Sequence, residues 1–386
     1  MGRIFGTDGV RGIANTELTC ERALAIGRAA AAVLTEGCSH RPVFVIGADT
    51  RLSSDMLMCS VMAGICSVGA DVIRLGTVPT PAVAYLVGKY EADAGIMISA
   101  SHNPAEFNGI KIFSGDGFKL PDLLEERIEA LVLDDASSIP APMGAGLGRV
   151  RIAENACRDY IDHIKETVPN SLTGLRIAVD CANGSASGTA EALFTELGAE
   201  VHMLADSPDG ININENCGST HMEALAQYVR ENGMDCGVAF DGDADRCIAV
   251  DEKGNVITGD HILYILGHLL DLALDLSGDL AASQLVVVNI VELVVIDQNA
   301  QDFLAVLVHV AVDIADRICR RITEFQSRLV DGVHPVIQTF CAFRISKKFR
   351  EIPKGILIGC FTFKSPCFFL FFVARRQDAH HGDTQD

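Results

Sequence analysis

Positive charge is scarce in this chain. Its 386 residues hold 31 Lys and Arg against 51 Asp and Glu, a net charge of −20. Nucleic-acid binding draws much of its affinity from Lys and Arg that neutralise phosphates, so the balance argues against that partner. It leaves room for a small anionic substrate, because one pocket can be locally positive. Metal-type cysteine spacing is also missing. The thirteen cysteines are scattered, with no Cys-x-x-Cys pair, which suits neither a zinc site nor a disulfide framework. No apolar signal segment opens the sequence, and a reduced cytoplasm is the compartment expected. The Phe-rich stretch Cys367–Val373 is too short to span a bilayer, and Lys364 and Pro366 interrupt the residues before it, so no membrane partner is expected.

Glycine becomes rare late in the chain. Residues 1–280 hold 31 of the 35 glycines, and residues 281–386 only four. Phenylalanine does the reverse, with eleven of eighteen after residue 300. Residues 281–386 carry 11 acidic and 12 basic side chains, net +1, which leaves −21 on the body. The body reads as a turn-rich, acidic α/β protein and the tail as something else. At roughly 100–200 residues per domain the length predicts several domains.

Two strand–helix–strand units stand out in the body. In the first, Pro42–Gly47 is a short apolar strand, Ser53 is a candidate cap for a helix over Ser54–Val68 with Asp55 in its first turn, and Gly69-Ala70-Asp71 turns into strand Val72–Leu75. In the second, Leu175–Asp180 is a strand, Ser187–Leu197 reads helical, and Gly198-Ala199-Glu200 leads into strand Val201–Leu204. Their likeness suggests an internal repeat of related α/β domains. Asp134–Gly148, rich in Pro, Ala, Gly and Ser, is a plausible linker. The domains expected are 1–140 and 150–256, with 257–280 starting a third unit through a helix over Gly259–Leu274. Residues 281–386 form a divergent tail with β-like runs such as Leu285–Ile296.

Two stretches carry chemistry. In Gly95–Phe113, strand-like Ile96–Ser99 enters the polar loop Ala100-Ser101-His102-Asn103-Pro104; Asn108-Gly109 reads as a turn and Ile110–Phe113 as a second strand. A serine held between strands, with His102 beside it and Lys111 returning nearby, fits the needs of phosphoryl transfer: a positioned oxygen nucleophile, cations for the phosphoryl oxygens, and groups that move protons. The plainer alternative is a polar β-turn whose serine satisfies backbone groups. A serine hydrolase is disfavoured, since no Gly-x-Ser-x-Gly elbow surrounds Ser101.

In Asp235–Val250, apolar Val238–Phe240 leads into Asp241-Gly242-Asp243-Ala244-Asp245, and Cys247–Val250 is strand-like again. Two carboxylates about 4 Å apart repel by about 4 kcal/mol at an effective dielectric of about 20. A loop that gathers three without a cation is costly, and oxygen donors on small spacers suit magnesium or calcium. The alternative is three solvated turn aspartates that splay apart. An EF-hand fails the count, because Arg246 stands where that loop needs glycine and the flanks read as strands. Arg11, in the Gly-rich opening Arg3–Gly12, suits either phosphate or solvent. In Gly210–His221, Ser219 or Thr220 is a candidate helix cap, with Glu223 following.

Taken together these stretches resemble the α-D-phosphohexomutases. Three motifs appear in the family's order: Thr7-Asp8-Gly9-Val10-Arg11-Gly12; Ser99-Ala100-Ser101-His102-Asn103-Pro104 with Asn108-Gly109-Ile110-Lys111; and Asp241-Gly242-Asp243-Ala244-Asp245-Arg246. The opening and the stretch Asn214–Leu225 look most like the branch acting on hexosamine phosphates. The resemblance covers about residues 1–280. It implies that Ser101 carries a phosphoryl group and that Asp241, Asp243 and Asp245, with an oxygen of that phosphate, hold one Mg²⁺. It further implies that glucosamine 6-phosphate and glucosamine 1-phosphate interconvert through a 1,6-bisphosphate; the alternatives are a mutase of the same family acting on glucose or mannose phosphates, and a non-catalytic metal- and phosphate-binding fragment. Lys111 and His102 would then assist proton transfer and charge balance, while Arg11, Arg246 and Asn103 support the phosphoserine site.

The family has four domains. Its third carries a sugar-reading loop of Glu-x-Ser-Gly-His type and its fourth a phosphate loop of Arg-x-Ser-Gly-Thr type. Residues 281–386 contain no Ser-Gly dipeptide. The expectation is therefore a third domain incomplete and a fourth absent, a tail that arose by a frame shift or a joined foreign fragment, and impaired turnover for want of remote binding groups.

Overall fold

The computed structural model describes residues 3–6, 9–168, 170–262 and 264–265, together with the backbone of three strands in the tail. Thr7 and Asp8, the helix expected beyond residue 265, and the run Leu285–Ile296 lie outside the described residues.

Six strands make the first sheet: β1 (Val10–Ile13), β2 (Val43–Ala48), β3 (Asp71–Thr77), β4 (Ala94–Ile98), β5 (Phe107–Ser114) and β6 (Val150–Ile152), in spatial order β1-β5-β4-β2-β3-β6. The pairs β4–β2, β2–β3 and β3–β6 are parallel; β1–β5 and β5–β4 are antiparallel. The period-two rule for strands decides which side chains go where. Phe44, Ile46, Ile96 and Ile98 enter one core, with helices α1 (Cys20–Leu34), α2 (Leu52–Val68) and α4 (Asp122–Leu133). Val45 and Met97, one residue out of step, enter the other, with α3 (Thr80–Lys89) and α5 (Ala156–Thr167). The sheet is thus covered on both faces, as its long apolar strands require.

Helices α1 and α2 meet at two glycines. A Cβ on Gly27 would lie 2.5 Å from the Val61 carbonyl oxygen, and one on Gly64 would lie 2.3 Å from that of Leu24. Each helix therefore needs the other's missing side chain in order to approach.

The second sheet repeats the plan. Strands β7 (Arg176–Asp180), β8 (Glu200–Leu204), β9 (Cys236–Phe240), β10 (Cys247–Asp251) and β11 (Val256–Ile257) lie in the order β11-β10-β9-β7-β8. Here β7 is parallel to β8 and β9, and β9 turns back into antiparallel β10. Helix α6 (Ala190–Glu196) covers one face, around Val179, and α7 (Glu223–Asn232) the other, around Ala178. The unit β2-α2-β3-α3-β4-loop-β5 thus matches β7-α6-β8-α7-β9-loop-β10, and the repeat read from the sequence is present and longer than expected.

Several boundaries differ from the sequence reading. Helix α2 begins at Leu52 with Arg51 at its N-cap and no side-chain cap; Ser53 instead accepts a hydrogen bond from Asn108. Asn108 and Gly109 are inside β5, opposite Gly12 and Arg11, and make no turn. Asn108 is occupied by Ser53 and Ser54, and Gly109 lets the Ser99 carbonyl oxygen approach to 2.4 Å from where a Cβ would stand. Ser219 and Thr220 do not cap α7, whose N-cap is Met222. The expected start of the second domain at 150 falls inside the first sheet, because β6 pairs with β3. The 3-10 turn Ser185–Gly188 precedes α6, which is shorter than the helix expected.

Residues from 304 onward form a separate unit. Its described backbone is an antiparallel sheet of β12 (Lys348–Ile352), β13 (Ile356–Thr362) and β14 (Phe369–Arg375), in that order. The Phe-rich residues 369–373 lie in β14. Among the described residues, no helix is long and apolar enough to cross a membrane.

Candidate active site

The loops that follow β4 and β9 occupy equivalent places in the two repeats and face each other. Ser101 sits in the first at φ +56° and is buried. Its backbone N–H donates to Ser99 Oγ at 2.9 Å. Its hydroxyl donates to Asp241 Oδ2 in the second loop at 2.6 Å. Lys111, reaching in from β5, donates to Asp243 Oδ2 at 2.6 Å and to Asp245 Oδ2 at 2.9 Å. Thr80, the first residue of α3, donates its hydroxyl to Asp243 as well, and its amide donates to the Asp243 carbonyl at 2.8 Å. The N-terminus of a first-domain helix therefore clamps the acidic loop of the second domain, where its dipole favours negative charge.

Asp241, Asp243 and Asp245 bring carboxylate oxygens within 4.8 Å of one another, a cluster that can hold a metal ion. Asp241 and Asp243 are buried, and Asp245 is half-buried. The turn aspartates do not splay into solvent. Asp243 Oδ1 and Asp245 Oδ1 are buried atoms that accept no hydrogen bond; Arg246 Nε lies 4.0 Å from the latter. Buried carboxylate oxygens without partners are costly. Their hard, all-oxygen character fits a small divalent cation of the magnesium or calcium kind.

The charges of the cluster are interlocked. Burial, and then the charges of Asp243 and Asp245, push the Asp241 carboxyl up to about 7. Burial also opposes the charge on Asp243, but Lys111 and the Thr80 hydroxyl outweigh it and hold that carboxyl below the ordinary range. Burial likewise opposes the Lys111 ammonium, and the two carboxylates overcome it and raise its pKa. Lys111 is thus a fixed cation while Asp243 and Asp245 face it.

His102 lies beside Arg246, whose Nη1 is 3.1 Å from its Nδ1. A guanidinium can only donate, so Nδ1 accepts and the neutral ring carries its proton on Nε2. Burial, followed by the charges of Arg246 and Arg11, lowers the His102 pKa, in keeping with a neutral ring. Arg11 stands on β1 opposite Gly109, and its charge reaches both His102 and Asp243. Asn103 contributes through its backbone: its N–H donates to the Ala100 carbonyl at 3.1 Å, and its own carbonyl accepts from Arg51 at 2.8 Å. Every site residue singled out in the sequence therefore lies in or beside these two loops.

The sequence reading missed the frame that shapes the serine loop. Arg51 is fully buried and paired with Asp49 at 2.9 Å. Its guanidinium also donates to the carbonyls of Pro104 at 2.5 Å, Ser101 at 2.9 Å and Asn103 at 2.8 Å. Asp49 in turn accepts from Ser54 at 2.8 Å and Ser99 at 2.6 Å. From the second domain, Asn214 Nδ2 donates to the same Ser101 and Asn103 carbonyls at 2.9 and 3.1 Å. The signal for Asp49 and Arg51 was available: a charged pair directly after an apolar strand and before a helix.

Fold and site together define a protein of the phosphohexomutase type: two α/β/α domains with a serine loop opposed to an aspartate loop. Residues 2–138 match phosphoglucomutase/phosphomannomutase alpha/beta/alpha domain I, and residues 158–254 match domain II of the same description. The chain belongs to the phosphoglucomutase/phosphomannomutase family. It is 57% identical over 272 residues to the phosphoglucosamine mutase of Clostridium novyi (strain NT), covering 70% of this chain and 60% of that protein. It is 55% identical over 267 residues to that of Acetivibrio thermocellus, covering 69% and 60%. Among solved structures it resembles a phosphoglucomutase/phosphomannomutase family protein from Burkholderia thailandensis, with a TM-score of 0.61 and 26% identity over 69% of this chain and 59% of that one. The chain thus spans about 60% of the length of the curated relatives it matches.

Proposed function

We propose that this chain carries the phosphoryl-transfer half of a phosphoglucosamine mutase. The observation that carries the reading is the 2.6 Å contact between Ser101 Oγ and Asp241 Oδ2, which joins a buried nucleophile to a cluster able to hold a cation. The relatives named as phosphoglucosamine mutases supply the substrate class: glucosamine 6-phosphate and glucosamine 1-phosphate.

In this reading Ser101 Oγ bears a phosphoryl group. The C1 hydroxyl of glucosamine 6-phosphate attacks its phosphorus, the P–Oγ bond breaks, and a 1,6-bisphosphate forms. After the bisphosphate turns over, Ser101 Oγ takes back the 6-phosphoryl group and glucosamine 1-phosphate leaves. Asp241, Asp243 and Asp245 would hold Mg²⁺, which supplies Lewis-acid stabilisation of phosphoryl charge and orientation. His102, with its proton on Nε2, acts as a hydrogen-bond donor to phosphoryl oxygens, and Arg246 and Arg11 add positive charge. Lys111 is held protonated by Asp243 and Asp245; once those carboxylates are committed to a cation, its amine is free to accept the hydroxyl proton.

The domain boundaries at 1–140 and 150–256 are retained in this proposal except that β6 belongs to the first. Residues 281–386 have neither the Glu-x-Ser-Gly-His nor the Arg-x-Ser-Gly-Thr loop, and the proposal is that turnover by this polypeptide is low because the non-reacting phosphate lacks its grip. The test combines mass spectrometry for phosphate on Ser101, after incubation with glucosamine 1,6-bisphosphate and Mg²⁺, with a coupled assay for glucosamine 1-phosphate. Phosphate on Ser101 with little turnover is expected. Absence of phosphate at Ser101 would refute the assignment of the half-site, and turnover equal to that of a full-length relative would refute the impairment.

A further inference from the structure

We propose that Cys38, His40 and Asp93 form a binding site for a borderline-soft divalent cation of the zinc class, separate from the aspartate cluster. Cys38 and His40 lie between α1 and β2, and Asp93 directly precedes β4. They occupy the end of the first sheet where its central strands β2 and β4 begin, whereas the Ser101 loop follows the other end of β4.

The three side chains converge. The thiol, imidazole and carboxylate each offer an atom within 4.8 Å of the other two. His40 Nε2 is 2.9 Å from Asp93 Oδ1, and Cys38 Sγ is 4.0 Å from the same oxygen. Tetrahedral zinc, with bonds of about 2.3 Å to sulfur and about 2.0 Å to nitrogen or oxygen, has ligand-to-ligand edges of about 3.3–3.6 Å. The two observed separations bracket that range, so a change of about half an ångström brings each of those two edges to it. A thiol, an imidazole and a carboxylate together are the donors of a zinc-class ion; the hard, all-oxygen cluster at Asp241 suits the opposite kind.

The carboxylate is also oriented in advance. Asp93 Oδ2 accepts the Val43 N–H at 2.8 Å, and the Asp93 N–H donates to the Val43 carbonyl at 2.8 Å. That fixes the side chain on β2 and leaves Oδ1 turned to Cys38 and His40, the role a backbone partner plays behind a metal-ligating carboxylate. Cys38 is held by its own N–H donating to the Thr35 carbonyl at 3.1 Å. The His40 side chain is 61% exposed, which gives an ion its entry path and leaves a fourth position for water. Spacing alone hid the site, since the third ligand is supplied from the start of another strand.

The experiment uses the metal-free full-length chain with excess Mg²⁺ present and Co²⁺ as the probe. One equivalent of Co²⁺ is expected to give a thiolate-to-cobalt charge-transfer band and the visible bands of a four-coordinate ion. Cys38→Ser is expected to abolish the charge-transfer band, and His40→Ala to weaken Co²⁺ binding at least about tenfold. Cys59→Ser, at another exposed thiol, is expected to leave both unchanged. Cys38 and His40 are exposed, and circular dichroism of each variant checks that the fold is kept. A band that persists in Cys38→Ser, unchanged affinity in His40→Ala, or no band in the parent chain overturns the proposal.

Discussion

Ser101 Oγ donates a 2.6 Å hydrogen bond to Asp241 Oδ2 across 140 residues of sequence. Proximity along the chain does not bring the two together. Each sits in the loop that follows the third parallel strand of its own repeat, β4 or β9, and the two repeats set those loops against each other. Repetition of one α/β plan thus places a nucleophile loop and an acidic loop in equivalent positions with different side chains.

The first expectation concerns that contact. Ser101→Ala removes the nucleophile and one hydrogen bond, and leaves the Ser101 carbonyl still bound by Arg51 and Asn214. Stability should change by no more than about 1–2 kcal/mol. Phosphate transfer from glucosamine 1,6-bisphosphate to the chain, read by intact-mass spectrometry, should vanish. Phosphate retained by the variant would mean that another residue carries it.

Lys111 gives a sharper test of the cluster. Its ammonium is the cation nearest to Asp243 and Asp245, so Lys111→Met leaves buried carboxylates facing one another. Breaking a buried pair costs about 3–5 kcal/mol. The loss should be large in metal-free buffer and smaller with Mg²⁺, because a bound ion stabilises by RT ln(1 + [L]/Kd). Thermal melts with and without Mg²⁺ should show a larger rise for the variant than for the parent chain. Equal rises would place the cation elsewhere.

Acid should weaken the metal site. The folded Asp241 carboxyl is pushed up to about 7 from its ordinary value of 3.8, so at pH 6 a proton competes for the oxygen that a cation needs. Mg²⁺ affinity, measured by calorimetry, should fall by about tenfold per pH unit below that pKa and level off above it. Stability of the metal-free chain has the opposite slope from this group. A raised carboxyl binds more protons folded than unfolded, so its share of stability falls as pH climbs from about 4 to about 7. Asp241→Asn should flatten the pH dependence of Mg²⁺ binding.

Much of the fold was legible because apolar runs and glycine turns state it. The apolar runs in Pro42–Gly47 and Ile96–Ser99 became β2 and β4, and the glycine-ended helices before strands became the two repeats. What sequence pattern could not convey was long-range pairing. Asn108-Gly109 has the local chemistry of a turn, yet β1 on one side and the Ser99 carbonyl on the other hold it extended. Val150–Ile152 followed a Gly-rich linker, and only its pairing with β3 shows that it closes the first sheet. The site residues Ser101, Lys111 and the three aspartates were readable from motif and charge density. Thr80 and Asn214 were not, since each acts through a partner in the other domain.

Gly27→Ala tests the helix crossing. The new Cβ would stand 2.5 Å from the Val61 carbonyl oxygen, a backbone atom that cannot swing aside. Overpacking of this kind costs about 1–3 kcal/mol, more than the gain in helix propensity of about 1 kcal/mol for replacing glycine. The urea midpoint should fall, while Mg²⁺ affinity stays the same because the crossing lies outside the site. A midpoint that rises would show that α1 and α2 can separate without loss.

Arg51 tests how the serine loop is held. Its planar fork reaches Asp49 and three loop carbonyls at once, which an ammonium on a flexible stem cannot reproduce. Arg51→Lys keeps the charge opposite Asp49 but removes the fork's charge-assisted bonds to the carbonyls, which keep only Asn214 and the Phe107 N–H as partners, at a cost of about 1.5–3 kcal/mol for each bond lost. The loop would then lose the geometry that holds Ser101 at φ +56°. Ser101 phosphorylation should slow by at least about tenfold, since small misplacements of a reacting group cost that much or more. Mg²⁺ affinity should change little, because Asp241, Asp243 and Asp245 belong to the other domain and are positioned by Thr80 and Lys111. If both fall together, Arg51 supports the whole interface between the domains and not the serine loop in particular.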